Sequence, residues 1–341
     1  MRKQILFGIC LFLATTCFGQ DKLDSLVQVG IKYHDNGEFY KAIDTYKQAL
    51  KIDPKSALVN YEISMSYLNA GDNKNALKHS DIVLKQKQNN ILPAYIVKGS
   101  ALDNLGKTKQ SIKLFNQAIQ EVGGHYLLYY NLGVDYSKIG DRKNAETAFI
   151  NAIQNKSDHK SSHYGLALLE YQNDNRVQSL LSIYYFLMLE PTSKRSVTAY
   201  NLLKEQLSGN VQKDNSNPMN INVFINQKST DSEFGAADMM IAMLEASNSL
   251  EENKDKTADE LFIENTKSFF TVLGELYEND SKGKDNLWWN FYVQFFYDLA
   301  KSNYMDVFCY YISSSTNEKA QEWLQNNEEK LDNFDKWLQD R

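Results

Sequence analysis

The sequence predicts an all-α protein: a solenoid of helix–turn–helix units followed by a separate helical C-terminal domain. Three observations point there. A set of small and aromatic residues returns about every 34 residues through the first half, the mark of a stacked-repeat architecture. The second half carries apolar residues at helical spacing, with a dense aromatic stretch of its own. The 341 residues hold only 4 prolines and 16 glycines, so long runs are free of helix breakers. Apolar residues are 43% and charged residues 23%, a balance that excludes a wholly disordered chain. A net charge of -6 argues against nucleic acid as a partner. With 5 histidines and 3 cysteines there is little for a metal site, and no cofactor is implied.

Residues 1–19 read as a signal peptide. Arg2 and Lys3 are a basic start, Ile5 to Ala14 an apolar run too short to span a bilayer, and Cys17 and Gly19 the small residues before a cut that leaves Gln20 first. The expected location is therefore exported, periplasmic or secreted, with no transmembrane span in the mature chain. Lipid anchoring through Cys17 is the weaker alternative, because Ala14 and Thr16 stand where a Leu-like and a small residue are wanted. Only Cys309 would remain in the mature chain, so no internal disulfide can form.

The repeats occupy 23–193. Gly30, Tyr33, Gly37, Ala42, Tyr46, Ala49 and Pro54 mark the first. The same offsets return as Ser64, Tyr67, Gly71, Ala76, Ser80 and Val83, and as Gly99, Leu102, Gly106, Ser111, Phe115 and Ala118. They come again as Gly133, Tyr136, Gly140, Ala145, Phe149 and Ala152, and in looser form as Ala167, Glu170, Asp174, Ser179, Ile183, Phe186 and Pro191. Each unit reads as two amphipathic helices. Small residues let the helices approach closely, and the glycines at 37, 71, 106 and 140 end the first helix in a left-handed turn. One unit cannot bury its apolar face alone, but stacked units can. Val197, Tyr200, Leu202, Leu203 and Leu207 then read as a helix capping the last repeat, so the array spans 20–208.

These marks resemble the tetratricopeptide repeat (TPR), most closely over Tyr126 to His159. The resemblance implies that the first helix of each unit lines a concave groove for a peptide or protein partner. Positions five, nine and twelve of a unit would point into it. They give Val27, Ile31, Tyr61, Met65, Leu68, Ile96, Tyr130, Val134, Tyr164, Leu168 and Tyr171, an apolar and tyrosine-rich lining. His34, Ser100, Asp103 and Ser137 complete those positions. Of the family's carboxylate clamp only Asn131 is matched, so that activity is not implied.

Residues 209–230 lose helical periodicity and read as a linker. Within them Ile221, Val223 and Ile225 alternate with polar residues, an extended pattern. The segment 219–227 is expected to cover the groove as a displaceable plug. Residues 231–341 read as a helical, aromatic-rich acidic domain: Thr257 with Glu260 forms a capping box, Ser315 with Glu318 a second cap pair, and aromatics crowd from Trp288 to Tyr311. Charge divides the chain, with 25 basic and 20 acidic residues over 20–229 but 10 and 23 over 230–341, so the second domain could lean on the first.

Catalytic patterns fail. Gly106-Lys107-Thr108 lacks the first glycine of a phosphate loop and falls in a repeat turn. His159 and His163 lack the intervening Glu of a metalloprotease and read as solvated; Cys309, in an aromatic run, reads as buried and inert. The expectation is a non-enzymatic, exported scaffold holding a peptide or protein partner in its groove. The alternative is an enzyme whose activity lies in the C-terminal domain, with the repeats docking its substrate.

Overall fold

A computed structural model describes residues 20–87, 91–209, 211–213, 221–223, 233–279 and 284–341. The signal segment 1–19 lies outside them. Contacts divide the chain into two compact units, Met1–Ala148 and Phe149–Arg341. Each unit is helical, as the repeats and the later amphipathic runs require.

The first unit is a row of helix hairpins. Helix α1 covers 20–35, followed by α2 (Phe39–Ile52), α3 (Ala57–Asn69), α4 (Asn73–Gln86), α5 (Ile91–Asn104), α6 (Thr108–Val122) and α7 (Tyr126–Lys138). Helix α8 (Arg142–Asn155) carries the boundary between the units. The glycines expected at the turns adopt left-handed conformations: φ is +76° at Gly37, +81° at Gly71, +74° at Gly106 and +77° at Gly140. The small residue at position eight works by proximity. A methyl at Gly30 would stand 2.3 Å from Tyr46 Cε1, and one at Gly99 2.1 Å from Phe115 Cζ. Each ring therefore fills the space a side chain at its glycine would need. Where alanine is usual at position twenty, Ser111 instead donates to the Gly99 carbonyl at 2.9 Å. Polar bonds also tie successive repeats. His34 meets Ser66 Oγ at 2.8 Å and Asn69 Nδ2 at 3.0 Å, and Lys138 reaches Asp103 Oδ1 at 2.9 Å.

The second unit contains the fifth repeat, α9 (Lys160–Gln172) and α10 (Arg176–Leu189), then α11 (Lys194–Ser208). Asp174 takes the left-handed place at its turn, with φ +60°. After α11 come strands β1 (Val211–Lys213) and β2 (Ile221–Val223), paired antiparallel with Gln212 opposite Asn222. Helices α12 (Gly235–Ser247) and α13 (Ala258–Asn279) follow. A π-turn over Trp288–Val293 leads into α14 (Gln294–Lys301), then α15 (Met305–Ser313), α16 (Glu318–Asn326) and α17 (Glu328–Gln339). The extended pattern at Ile221–Val223 is thus a strand that finds its bonds in Val211–Lys213. No described residue supports the groove plug, and 219–220 and 224–227 lie outside the described residues.

The expected domain division at 209–230 is not where the compact units part. Every residue of α10 from Ser179 to Met188 is buried, because this helix lies between its own repeat and the later helices. Tyr184 packs edge-on to Phe270 at 5.0 Å, tilts toward Phe308 at 6.1 Å, and its hydroxyl meets Thr266 Oγ1 at 3.2 Å. Tyr185 sits 4.9 Å from Phe291 and 5.2 Å from Phe295. Arg176 fastens α12, its Nε 2.5 Å from Asp238 Oδ1. The capping box forms as expected: the Thr257 amide donates to Glu260 Oε2 at 2.8 Å, and the Glu260 amide to Thr257 Oγ1 at 3.2 Å. The second cap pair does not. Asn317 caps α16 by accepting from the Ala320 amide at 3.3 Å, closer to the first turn than Ser315 can reach.

Candidate functional site

The first helices of the repeats bury one face and leave another half open. On α3, Val59, Asn60, Ile63, Ser64, Ser66 and Tyr67 are buried, while Tyr61, Met65 and Leu68 are half-buried at the edge of the core. On α5, Ile96, Ser100 and Asp103 are half-buried, and on α7 Tyr130 and Ser137 are too, with Val134 37% exposed. Positions five, nine and twelve therefore keep solvent access from the second to the fourth repeat. Val27 differs: only 4% exposed, it packs into the core near Leu23, Ile43 and Tyr46, whereas Ile31 stays half-buried. Asn131 spends its amide on the Leu127 carbonyl at 2.7 Å, within its own helix. Burial, then the neighbouring charge of Glu62, pushes the Tyr61 hydroxyl up, which keeps it a proton donor.

In the second unit Tyr164, Leu168 and Tyr171 occupy the same positions of α9. Tyr164 packs against Phe186 at 4.7 Å with the Arg195 guanidinium 5.7 Å from its ring, and Leu168 is half-buried. Tyr171 is 39% exposed and donates to Glu205 at 2.9 Å. His163 corrects the expectation of a solvated pair. It is fully buried, and its Nε2–H donates to the Ser157 carbonyl at 2.8 Å while Nδ1 accepts from the Tyr292 hydroxyl at 2.6 Å. That pattern uses the neutral ring, and burial pushes its pKa down to about 4. Cys309 is buried as expected, and burial pushes its thiol up.

The geometry of position, turn and packing matches what family comparisons find. The TPR repeat model matches residues 30–78, and the tetratricopeptide repeat model matches 92–121. The chain carries tetratricopeptide repeats. A curated relative, the probable UDP-N-acetylglucosamine–peptide N-acetylglucosaminyltransferase SPINDLY of Hordeum vulgare, is 29% identical over 153 residues. That match covers 41% of this chain and only 16% of the relative. A thermophilic TPR protein of Thermus thermophilus is 18% identical with TM-score 0.47, covering 54% of this chain and 98% of its own. The pilF protein of Pseudomonas aeruginosa is 17% identical with TM-score 0.47, covering 55% and 87%. TPR units make this chain a candidate for protein–protein contact. Among the described residues no helix is long and apolar enough to cross a membrane.

Sequence reasoning missed a cavity of about 680 Å³ in the second unit, lined by α11, α12, α13 and the turn into α16. Its walls come from residues spread over more than a hundred positions, each of which alone reads as an ordinary helix residue. The only available signal was the half-polar face of α13, where Asn265 and Thr266 interrupt Phe262 and Phe269.

Proposed function

We propose that this protein is an exported, non-enzymatic scaffold that holds a peptide or protein partner on the face made by positions five, nine and twelve of its TPR units. The observation that carries this is the half-open character of those positions on α3, α5 and α7, six of the nine apolar or tyrosine, beside neighbours that are fully buried. Tyrosine gives a large rigid contact with a polar tip, at low entropic cost on binding. Export rests on the basic, apolar and small-residue order of 1–19, with Gln20 as the first mature residue. The enzyme alternative draws only on the curated relative, whose printed activity belongs to a protein of which this chain matches 16%.

The test is selection of a peptide library against the mature chain, followed by titration of the selected peptides. Replacing Tyr61 and Tyr130 together by Ala should weaken binding at least about tenfold, the loss expected of anchor residues. Tyr40→Ala, on the 67% exposed tyrosine of α2, should leave it unchanged. Equal losses at both places, or no selected peptide, would refute the reading. N-terminal sequencing that finds Met1 in the exported protein would refute the export part.

A further inference from the structure

The second unit holds a cavity of its own. Its volume of about 680 Å³ falls in the range of roughly 300–1,000 Å³ usual for small-molecule sites, far beyond what one buried water needs. One wall is apolar: Tyr200 meets Phe262 edge-on at 6.0 Å, with Leu244 beside them. The lining also carries three carboxylates, Glu245, Asp259 and Glu318. Neutral amides hold two of them in place, Asn248 Nδ2 donating to Glu245 at 3.0 Å and Asn317 Nδ2 to Asp259 at 2.8 Å. Among the described residues none of the three has a cation within ion-pair distance. Yet two lysines, Lys204 and Lys319, line the same cavity. Lys204 lies over the Tyr200 ring at 5.1 Å, the cation–π geometry an ammonium group adopts on this ring. Burial also raises the pKa of Glu245, the expected state of a carboxylate whose counter-charge is missing.

We infer that this cavity is a binding site for an organic cation with an apolar body: an amine or guanidinium that pairs with Glu245 and Asp259 while its hydrocarbon part lies on Tyr200, Phe262 and Leu244. The lining sets three carboxylates against two ammonium groups, which favours a cation over an anion, and a neutral apolar ligand would cover Glu245 and Asp259 without adding a counter-charge. The cation can come from a free amine or from a basic side chain next to an apolar one in a peptide. Both present the same chemistry to the cavity.

Calorimetric titration of the full mature chain tests this with probes of one shape and three charges: 2-phenylethylamine, 2-phenylethanol and phenylacetate. The amine should bind at least tenfold more tightly than the alcohol, and phenylacetate should bind more weakly than either. Glu245→Gln should cost the amine about tenfold and leave the alcohol unchanged, with no shift in melting temperature. Should that variant not fold, Asp259→Asn is read in the same way. Phe262→Ala should weaken amine and alcohol alike. A capped Phe–Arg dipeptide amide binding more tightly than phenylethylamine identifies a peptide source, and the reverse order a free amine; either supports the assignment. Equal binding of the three probes, preference for phenylacetate, no binding of the amine at 10 mM, or indifference to both acid substitutions overturns it. These readouts do not involve Tyr61 or Tyr130, so failure here and failure of the scaffold reading are distinct.

Discussion

At Asp135 on α7 the carboxyl is 3% exposed, and burial pushes its pKa up to about 6. The neighbouring Ser111 hydroxyl opposes the shift, nearby Asp103 adds to it, and Lys138 offsets part. Its Oδ2 has no hydrogen-bond partner among the described residues. A raised pKa means that the folded state holds the proton after the unfolded chain has lost it. The stabilisation is therefore complete below the unfolded value of 3.8 and is lost as pH rises to about 6. At about 1.4 kcal/mol per pK unit, the loss is on the order of 2–3 kcal/mol. Asp135→Asn should not show it: the variant's stability relative to wild type should climb between pH 4 and pH 6 in urea denaturation, and a flat difference would contradict the assignment. His163 titrates with the opposite sense. Its depressed pKa makes the native state lose stability as pH falls from 6.5 toward about 4. Tyr292→Phe removes the hydroxyl that its Nδ1 accepts from and should cost about 1–2 kcal/mol, measured at pH 7.5 where the ring is neutral in both states. This bond was not legible in the sequence, because its partners are 129 residues apart and His163 alone shows only a spacing to His159.

Among the elements, the repeat hairpins were readable because their constraints are local. Two kinds of glycine recur, and they should fail differently. At Gly30 the φ is ordinary and the space is full, so Gly30→Ala drives a methyl into the Tyr46 ring and should cost about 1–3 kcal/mol as an overpacked contact. At Gly106 nothing stands within 4 Å, but φ is +74°, so Gly106→Ala should cost about 1–2 kcal/mol through backbone strain alone. Asp174 holds the equivalent left-handed place in the fifth repeat at φ +60°. Asp174→Gly should therefore be neutral or stabilising by a few tenths of a kcal/mol, since it relieves strain but frees the unfolded chain. Equilibrium denaturation of the three variants checks the set; a destabilised Asp174→Gly would mean that its side chain supports the turn. Of the positions that the offset pattern marks, Tyr61, Met65 and Leu68 are half-open, whereas Val27 falls inward. The cavity was not readable, because Tyr200, Glu245, Phe262 and Asn317 come together only through packing of four separate helices.

For the whole chain, a linker-like composition at 209–230 suggested that the repeats end one folding unit and the later helices form another. Composition reports what a segment cannot do locally, not which helices bury each other. Helix α10 shows the difference. Its run of Leu180, Leu181, Ile183, Tyr184, Tyr185, Phe186, Leu187 and Met188 is apolar all round, a pattern that belongs to a helix covered on every side. Tyr184 and Tyr185 are covered by Phe270, Phe296, Phe308, Phe291 and Phe295, all from the C-terminal helices. Removing those helices would uncover both rings, a loss of roughly 1.5–3 kcal/mol for each large side chain. Set against a typical domain stability of about 5–15 kcal/mol, that is enough to unfold the last repeat locally. A fragment of residues 20–208 should then bind a hydrophobic dye and show fast amide exchange over α9 to α11, with α2 to α6 still protected. A fragment of residues 142–341, which keeps α10 between its two sets of partners, should unfold in a single cooperative transition with native near-ultraviolet dichroism. If instead 20–208 is protected to its last helix and 142–341 is molten, the folding boundary lies in the linker after all, and the compact unit beginning at Phe149 is not an independent one.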